Sequence, residues 1–224
     1  MTISIRRRMT QGFYFRLAYT YAHAIDDGQD ALIAGSPALV QNSYNTSAEK
    51  GPSVTDQRHR LVISWIAEPR PFDRSRPILS KLFNSWKLSG VISGGSGRPV
   101  DAKVFGDPNR DGNSSNDRLP GAGRNSFVGP NYATADMRIS RRLFKNDRFK
   151  LELQVEAFNM LNRDNQRVQI TDNGFQTSGT QFVQTDKTIG INHFPGYYQT
   201  PANLMRATDA YAARQIQLAL RLNY

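Results

Sequence analysis

Hydrophobic and polar residues alternate one for one over seven separate stretches of the chain, the period of a strand with two unlike faces rather than of a helix. The last stretch, Ala213 to Tyr224, sets Ile216, Leu218, Leu220, Leu222 and Tyr224 against Gln215, Gln217, Ala219, Arg221 and Asn223. Met1 to Met9 opposes Ile3 and Ile5 to Thr2, Ser4, Arg6 and Arg8, with Arg7 intruding on the apolar side. Phe13 to His23 carries Phe13, Phe15, Leu17, Tyr19 and Tyr21 on one side and Tyr14, Arg16, Ala18, Thr20 and Ala22 on the other. Gln57 to Glu68 places Leu61, Ile63, Trp65 and Ala67 opposite Arg58, Arg60, Val62 and Ser64, and Asn84 to Ser93 places Trp86, Leu88 and Ile92 opposite Lys87, Ser89 and Ser93. Tyr132 to Phe144 offers Ala135, Met137, Ile139 and Leu143 against Asp136, Arg138, Ser140 and Arg142. Arg148 to Asn159 offers Phe149, Leu151, Leu153, Val155 and Ala157 against Lys150, Glu152, Gln154 and Glu156. The pattern predicts an all-β antiparallel meander with strands at about 1–9, 13–23, 57–68, 84–93, 132–144, 148–159 and 213–224.

The connections sharpen this. Thr10-Gln-Gly12 and Lys145-Asn-Asp147 are short enough to force hairpins, whereas Ala24 to Asp56, Gly94 to Asn131 and Leu161 to Ala212 are long and polar. The Pro- and Arg-rich connection from Pro69 to Phe83 is intermediate. Loops this long are uncommon in compact soluble domains but ordinary in outer-membrane barrels, where short turns are periplasmic and long loops extracellular. With Tyr224 at the periplasmic side, every long connection falls outside and every other one inside the periplasm. Tyr19, Tyr21, Trp65, Trp86, Phe149 and Tyr224 lie on the apolar faces, several near strand ends, as girdle residues or as ordinary β-core aromatics. Single-chain bacterial barrels close with an even strand number of roughly 8 or more, and an open edge in lipid strands its backbone groups without partners. Seven strands are therefore expected to be part of a larger barrel.

Composition permits this without demanding it. Only 38% of the 224 residues are hydrophobic, and no apolar run is long enough for a spanning helix. Barrel strands hide half their residues from lipid, so a mean hydropathy of -0.56 does not argue against a membrane. The formal charge of +10 would suit a nucleic-acid partner, but the basic residues are spread over many stretches, and only Arg6-Arg7-Arg8 is compact, so none is expected. With no cysteine there are no disulfides, thiolate metal sites or cysteine nucleophiles. No apolar run follows the basic residues near Met1, so no signal peptide is expected in this sequence.

The most chemical-looking segment is Asp107-Pro-Asn-Arg-Asp-Gly-Asn-Ser-Ser-Asn-Asp117. Asp107, Asn109 and Asp111 stand at positions one, three and five with Gly112 at six, the spacing of a calcium loop, where oxygen ligands alternate and glycine turns the chain. Arg118 stands where the bidentate acid belongs, and Asp117, one place earlier, can replace it only in a shorter loop. A solvated loop of Asx turns is the alternative. Catalysis is not expected: His23, His59 and His193 are far apart in sequence, and Ser93-Gly-Gly-Ser-Gly-Arg98 reads as a turn rather than a phosphate loop. Asp26-Asp27, followed by Gly28, reads as a loop start rather than a catalytic pair. On the polar faces Arg16, Arg58, Arg60, Lys87, Arg138, Arg142 and Arg221 outweigh Asp136, Glu152 and Glu156, which predicts a basic wall lining a lumen or cross-strand ion pairs that keep it wet.

Several stretches resemble the C-terminal barrel of TonB-dependent outer-membrane receptors, more narrowly the large Oar-like receptors that carry a carboxypeptidase-regulatory-like domain. They are Gly12-Phe-Tyr-Phe-Arg-Leu-Ala-Tyr-Thr-Tyr-Ala-His-Ala-Ile-Asp-Asp27, Asp56-Gln-Arg-His-Arg-Leu-Val-Ile-Ser-Trp65, Trp86-Lys-Leu-Ser-Gly-Val-Ile-Ser-Gly-Gly-Ser-Gly-Arg-Pro99, Gly123-Arg-Asn-Ser-Phe-Val-Gly-Pro130, Glu156-Ala-Phe-Asn-Met-Leu-Asn162 and Ala213 to Tyr224. The resemblance implies a 22-stranded barrel with a plug, energised through TonB, of which this chain is the last third and cannot transport alone. It implies as partners the N-terminal barrel and plug, the TonB system, outer-membrane lipid, an unnamed solute and the barrel assembly machinery, which would read Leu218, Leu220, Leu222 and Tyr224. A structural or adhesive barrel completed by other chains, and a soluble basic β-domain binding nucleic acid or glycan, are the competing readings.

Overall fold

The fold was obtained as a computed structural model, which describes residues 1–28, 40–42, 44–72, 75–114, 116–146, 148–168, 176, 179–185 and 198–223. Seven strands form one antiparallel sheet in sequence order: β1 (Thr2–Thr10), β2 (Phe13–Tyr21), β3 (His59–Ala67), β4 (Trp86–Gly95), β5 (Tyr132–Lys145), β6 (Lys150–Phe158) and β7 (Gln215–Asn223). β2 stops at Tyr21 rather than His23. β4 runs through Gly94 and Gly95, which are strand and not turn, pairing with Ala133 and Tyr132.

Register explains why the two faces differ. Ile5, Leu17, Ile63, Ile92 and Ala135 form one continuous row across five strands, and Phe15, Trp65, Gly90, Met137, Ala157 and Ile216 form another. A one-residue slip anywhere would move a whole strand's apolar set to the other face, so the pattern fixes the pairing. Trp65 spreads over Gly90, where an added Cβ would come within 2.7 Å of the indole nitrogen. Near the end of β5 a register irregularity brings Phe144, rather than Leu143, opposite Leu151.

Hairpin chemistry is equally local. Gln11 and Gly12, with φ of 53° and 76°, make the two-residue turn between β1 and β2 whose twist suits a hairpin. A side chain at Gly12 would collide with the Glu68 carbonyl oxygen 2.4 Å away. Between β5 and β6, Asn146 Oδ1 accepts the backbone N–H groups of Arg148 and Phe149 at 3.0 and 2.6 Å. Asp147 lies outside the described residues. The connection between β3 and β4 contains a short helix, α1 (Pro77–Phe83), which the strand-based reading did not anticipate. Pro77 pre-sets its first turn, and Trp86 Nε1 donates to the Leu82 carbonyl at 2.9 Å.

The three long connections all leave the same end of the sheet and fold against one another as a cap. Short ladders stiffen each: Ile25–Asp26 with Gly51–Pro52, Pro99–Val100 with Phe127–Val128, Gln166–Val168 with Ala207–Ala210, and Val183–Gln184 with Tyr198–Gln199. The buried apolar cluster, Ala102, Val104, Leu119, Phe182 and Tyr198, lies here and not in the sheet. No described helix is long and apolar enough to cross a membrane.

Candidate functional site

Three regions carry chemistry: the polar face of the sheet, the seam beneath the cap, and the cap interior. Arg16, Arg60, Lys87, Arg138, Arg142 and Arg221 share the polar face by register, Arg142 and Arg221 flanking Glu152 in one row. Arg58 falls just before β3 instead: its Nε donates to Asp56 Oδ2 at 3.0 Å and its Nη2 to His23 Nε2 at 3.3 Å. Asp56 also accepts the Ala24 N–H at 2.8 Å and contacts His23 Nδ1 at 3.1 Å, so this cluster closes the neck of the first loop. On the polar face Arg138 pairs with Glu156 at 2.6 Å and Lys87 with Glu68 at 3.5 Å. A cavity of about 400 Å³ opens there among Tyr14, Ser64, Ile66, Asp136, Arg138 and Glu156.

On the other face Tyr19 and Tyr21 pack their rings against His59 at 6.2 and 5.3 Å, with Tyr19 Oη 2.8 Å from His59 Nδ1. Arg141 lies 5.2 Å over the Trp86 ring toward the opposite end. Leu218, Leu220 and Leu222 are exposed along β7, and Tyr224 lies outside the described residues. At the seam, a second cavity of about 360 Å³ is lined by Gln57, Arg60, Arg98, Tyr132, Arg167 and Tyr211.

The cap interior is polar. Arg118, which occupies the position where a calcium loop has its last acid, turns away and donates from both Nη atoms to Glu49 at 2.8 Å. Burial opposes the Glu49 charge, but hydrogen bonds from Arg118 and the Gln41 N–H, with the Arg118 and Arg124 charges, hold its carboxyl below the ordinary range. Asp101, 3.9 Å from the same guanidinium, goes the other way: burial outweighs Arg118, the Asn125 N–H and Arg124 and pushes it up to about 6. Arg124 pairs with Asp26 and donates to the carbonyls of Glu49 and Gly28 at 3.3 and 3.2 Å. Asn125 donates to the Pro52 carbonyl at 2.7 Å, and Asn165 bonds both backbone groups of Ala133. The sequence pattern missed Glu49, Asp101, Arg124, Asn125 and Asn165, because no periodicity marks a polar residue that is buried by tertiary packing.

In the acidic loop, Asp107 accepts the N–H groups of Asp111 and Gly112 at 3.1 and 2.9 Å, and Asn109 Oδ1 accepts that of Asp111 at 2.9 Å. Asp117 is 0% exposed, and neither carboxylate oxygen has a hydrogen-bond partner among the described residues. Burial, and then the charges of Asp111 and Asp107, push it up to about 7. Among the described residues no three His, Cys, Asp or Glu side chains are grouped so that they could hold a metal ion, and His23 and His59 belong to separate clusters. His193 lies outside the described residues.

A family described as an outer membrane beta barrel domain matches residues 1–121, more than half of the chain. The chain belongs to this family. The matched part spans β1 to β4 and the acidic loop, so the amphipathic sheet is that of an outer-membrane barrel, with its apolar rows toward lipid. No curated protein and no solved structure matches the chain.

Proposed function

We propose that this outer-membrane β-barrel chain forms part of the wall of a TonB-dependent receptor of the Oar-like type, presenting a basic inner face and a folded extracellular cap to a solute taken across with energy from the periplasm. One observation carries the reading: β1 and β7 each have a single partner, leaving two edges of the described sheet open. Unpaired backbone groups cost several kcal/mol each in hydrocarbon, so further strands must complete the wall. The stretches resembling Oar-like receptors fall on both the wall and the cap: Trp86 to Pro99 runs up β4 into the cap, and Gly123 to Pro130 supplies Arg124 and Asn125 to its interior. Arg16, Arg60 and Arg138 on the polar face, with Arg98 and Arg167 at the seam, suit contact with a plug or an anionic solute. Leu218, Leu220, Leu222 and Tyr224 would serve as the signal for the barrel assembly machinery.

The test is twofold. The receptor that carries this sequence, purified from outer membranes, is expected to bind the periplasmic domain of TonB, and the chain alone in liposomes is expected to give no discrete conductance steps. Failure of TonB binding, or defined single-channel steps from the chain alone, would overturn the reading.

A further inference from the structure

We propose that the seam cavity between the polar face of the sheet and the cap binds an acidic saccharide, a sugar carrying a carboxylate or a phosphate, with Arg60 and Arg98 holding the acidic group and Tyr132 and Tyr211 the ring. This rests on the reading of the polar face as the wall that meets the solute, and it names the class of solute.

The first support is that the cavity is built by the sheet itself. Pairing sets Arg60 on β3 opposite Gly95 on β4, and Gly95 opposite Tyr132 on β5, so the three form one row on the polar face where the long connections leave. Tyr132 and Gln57 close in over Gly95: an added Cβ there would lie 2.9 Å from Tyr132 Cε1 and 2.5 Å from Gln57 Nε2. The neighbouring backbone is tied down. Gln57 Nε2 donates to the Ser96 carbonyl at 3.1 Å, the Gly97 N–H to Asn131 Oδ1 at 3.0 Å, and the Gly129 N–H to the Arg98 carbonyl at 2.9 Å. A Cβ at Gly97 would fall 1.7 Å from the Gly129 carbonyl oxygen, so glycine lets the two backbones meet. The cavity, about 360 Å³, is thus preformed, which lowers the cost of binding, and is of a size that takes small ligands.

The second support is charge. Arg60, Arg98 and Arg167 line the cavity and no Asp or Glu does. Arg58, Arg118, Arg124 and Arg138 each reach a carboxylate, whereas Arg60 and Arg98 have no ion pair among the described residues. Arg167 Nη1 lies 3.6 Å from Asp209 in a pair whose side chains are both more than half exposed, too weak to occupy it fully. Guanidinium forks match carboxylate and phosphate oxygens two at a time, and an anion among three like charges turns their repulsion into attraction.

The rings decide what carries the acid. The Arg167 guanidinium lies 5.1 Å over the Tyr211 ring, and Tyr211 stands 6.4 Å from Tyr132 at an inclination of 47°. Two rings so inclined make a corner rather than a slot, so a flat aromatic cannot be sandwiched between them. A sugar fits the corner better: its C–H face packs on one ring, while its hydroxyls reach the other phenol and the amide oxygens of Gln57 and Gln166.

The outer-membrane protein that carries this sequence, purified in detergent, should bind trigalacturonate or glucose 6-phosphate by titration calorimetry with a Kd of about 1 mM or tighter. The two probes distinguish a carboxylate from a phosphate as the acidic group. Neutral maltotriose and inorganic phosphate should each bind at least about tenfold more weakly than the better acidic sugar. Arg60→Gln and Arg98→Gln should each weaken the acidic sugar about tenfold, and Arg98→Lys, which keeps the charge but not the fork, by less. Tyr211→Ala should weaken the sugar and leave inorganic phosphate unchanged. Hydrogen-exchange protection of β3 and of residues 101–125 should match the parent in every variant, which separates ligand contact from a structural role. Loss of TonB binding with sugar binding intact would count against the transport reading alone. Absence of binding by both acidic sugars, equal binding of maltotriose or of inorganic phosphate, or binding that both Gln variants leave unchanged would each overturn the proposal.

Discussion

The sheet and the cap are built inside out relative to each other. On β7, Leu218 is 73% and Leu220 65% exposed, whereas in the cap Glu49 and Arg118 are each 3% exposed. Solvent accounts for the inversion. Lipid accepts the apolar rows of the sheet, and pairing on both sides supplies partners to the backbone groups of the inner strands. The cap is poor in apolar residues, so outside its small cluster it holds its loops together with ion pairs and carbonyl-directed hydrogen bonds, in which each member depends on the others. The sheet should therefore tolerate changes on its polar face and fail on its apolar face, while the cap should fail wherever a buried partner is removed.

The largest effect is expected from that second rule. Removing one member of a buried pair leaves the other charge uncompensated and costs about 3–5 kcal/mol, so Arg118→Ala should strip hydrogen-exchange protection from residues 101–125 and 40–49 while the amides of β2 and β3 keep theirs. Replacing both partners, Arg118→Met with Glu49→Leu, should recover most of the loss. If β2 and β3 lose protection to the same extent, sheet and cap are one cooperative element and the contrast fails. The next effect belongs to the sheet. Leu17→Arg, at the middle of a lipid-facing row, should cost about 2–4 kcal/mol in urea titrations of folding into vesicles, and Arg16→Leu on the other face less than about 1 kcal/mol. Gly12→Ala, forced into a positive φ against the Glu68 carbonyl, should cost about 1–3 kcal/mol in the same assay without disturbing the cap.

The inversion also decides what could be read from the residues alone. Alternation is a direct imprint of a two-faced environment, so the Leu218-Leu220-Leu222 and Phe13-Phe15-Leu17 series located their strands and faces, while the register between strands came from the fold. The outer-membrane setting followed, because long and short connections alternate with strand direction. The cap left no such imprint. Glu49 sits in a polar run that resembles any solvated loop, and its burial depends on Arg118, 69 residues away. Arg118 itself looked like a defect in a metal loop, because a one-dimensional reading assigns it to its neighbours rather than to the strap it grips. α1 was hidden for another reason: seven residues begun by Pro77 are too few to show a helical period. Asp107, Asn109, Asp111 and Gly112 were visible because their spacing is local, whereas the burial of Asp117 is not.

The smallest expected effect concerns two carboxylates that share one guanidinium and shift in opposite directions. The folded value of Asp101, about 6, lies above its ordinary 3.8, so its protonated form stabilises the cap fully below about 3.8 and that contribution is lost as pH rises through 6. Glu49 lies below its ordinary 4.5, so its contribution is complete above 4.5 and is lost as pH falls through its lowered value. Both contributions are close to full only near pH 4; above it the Asp101 contribution is lost while that of Glu49 persists, and below it the reverse. Carboxyl-carbon NMR should show Asp101 titrating near 6 while Glu49 is still ionised at pH 4.5. Asp101→Asn should reduce the decline in cap stability between about pH 4 and 6, the remainder belonging to Asp117, whose value of about 7 gives a decline of the same sign, and should leave the acid limb in place. If Asp101 instead titrates at its ordinary value, water reaches the cap interior freely. Its ion pairs would then be surface pairs worth under about 1 kcal/mol, and the cap would owe its order to the Val104, Leu119 and Phe182 cluster, as an ordinary small domain does.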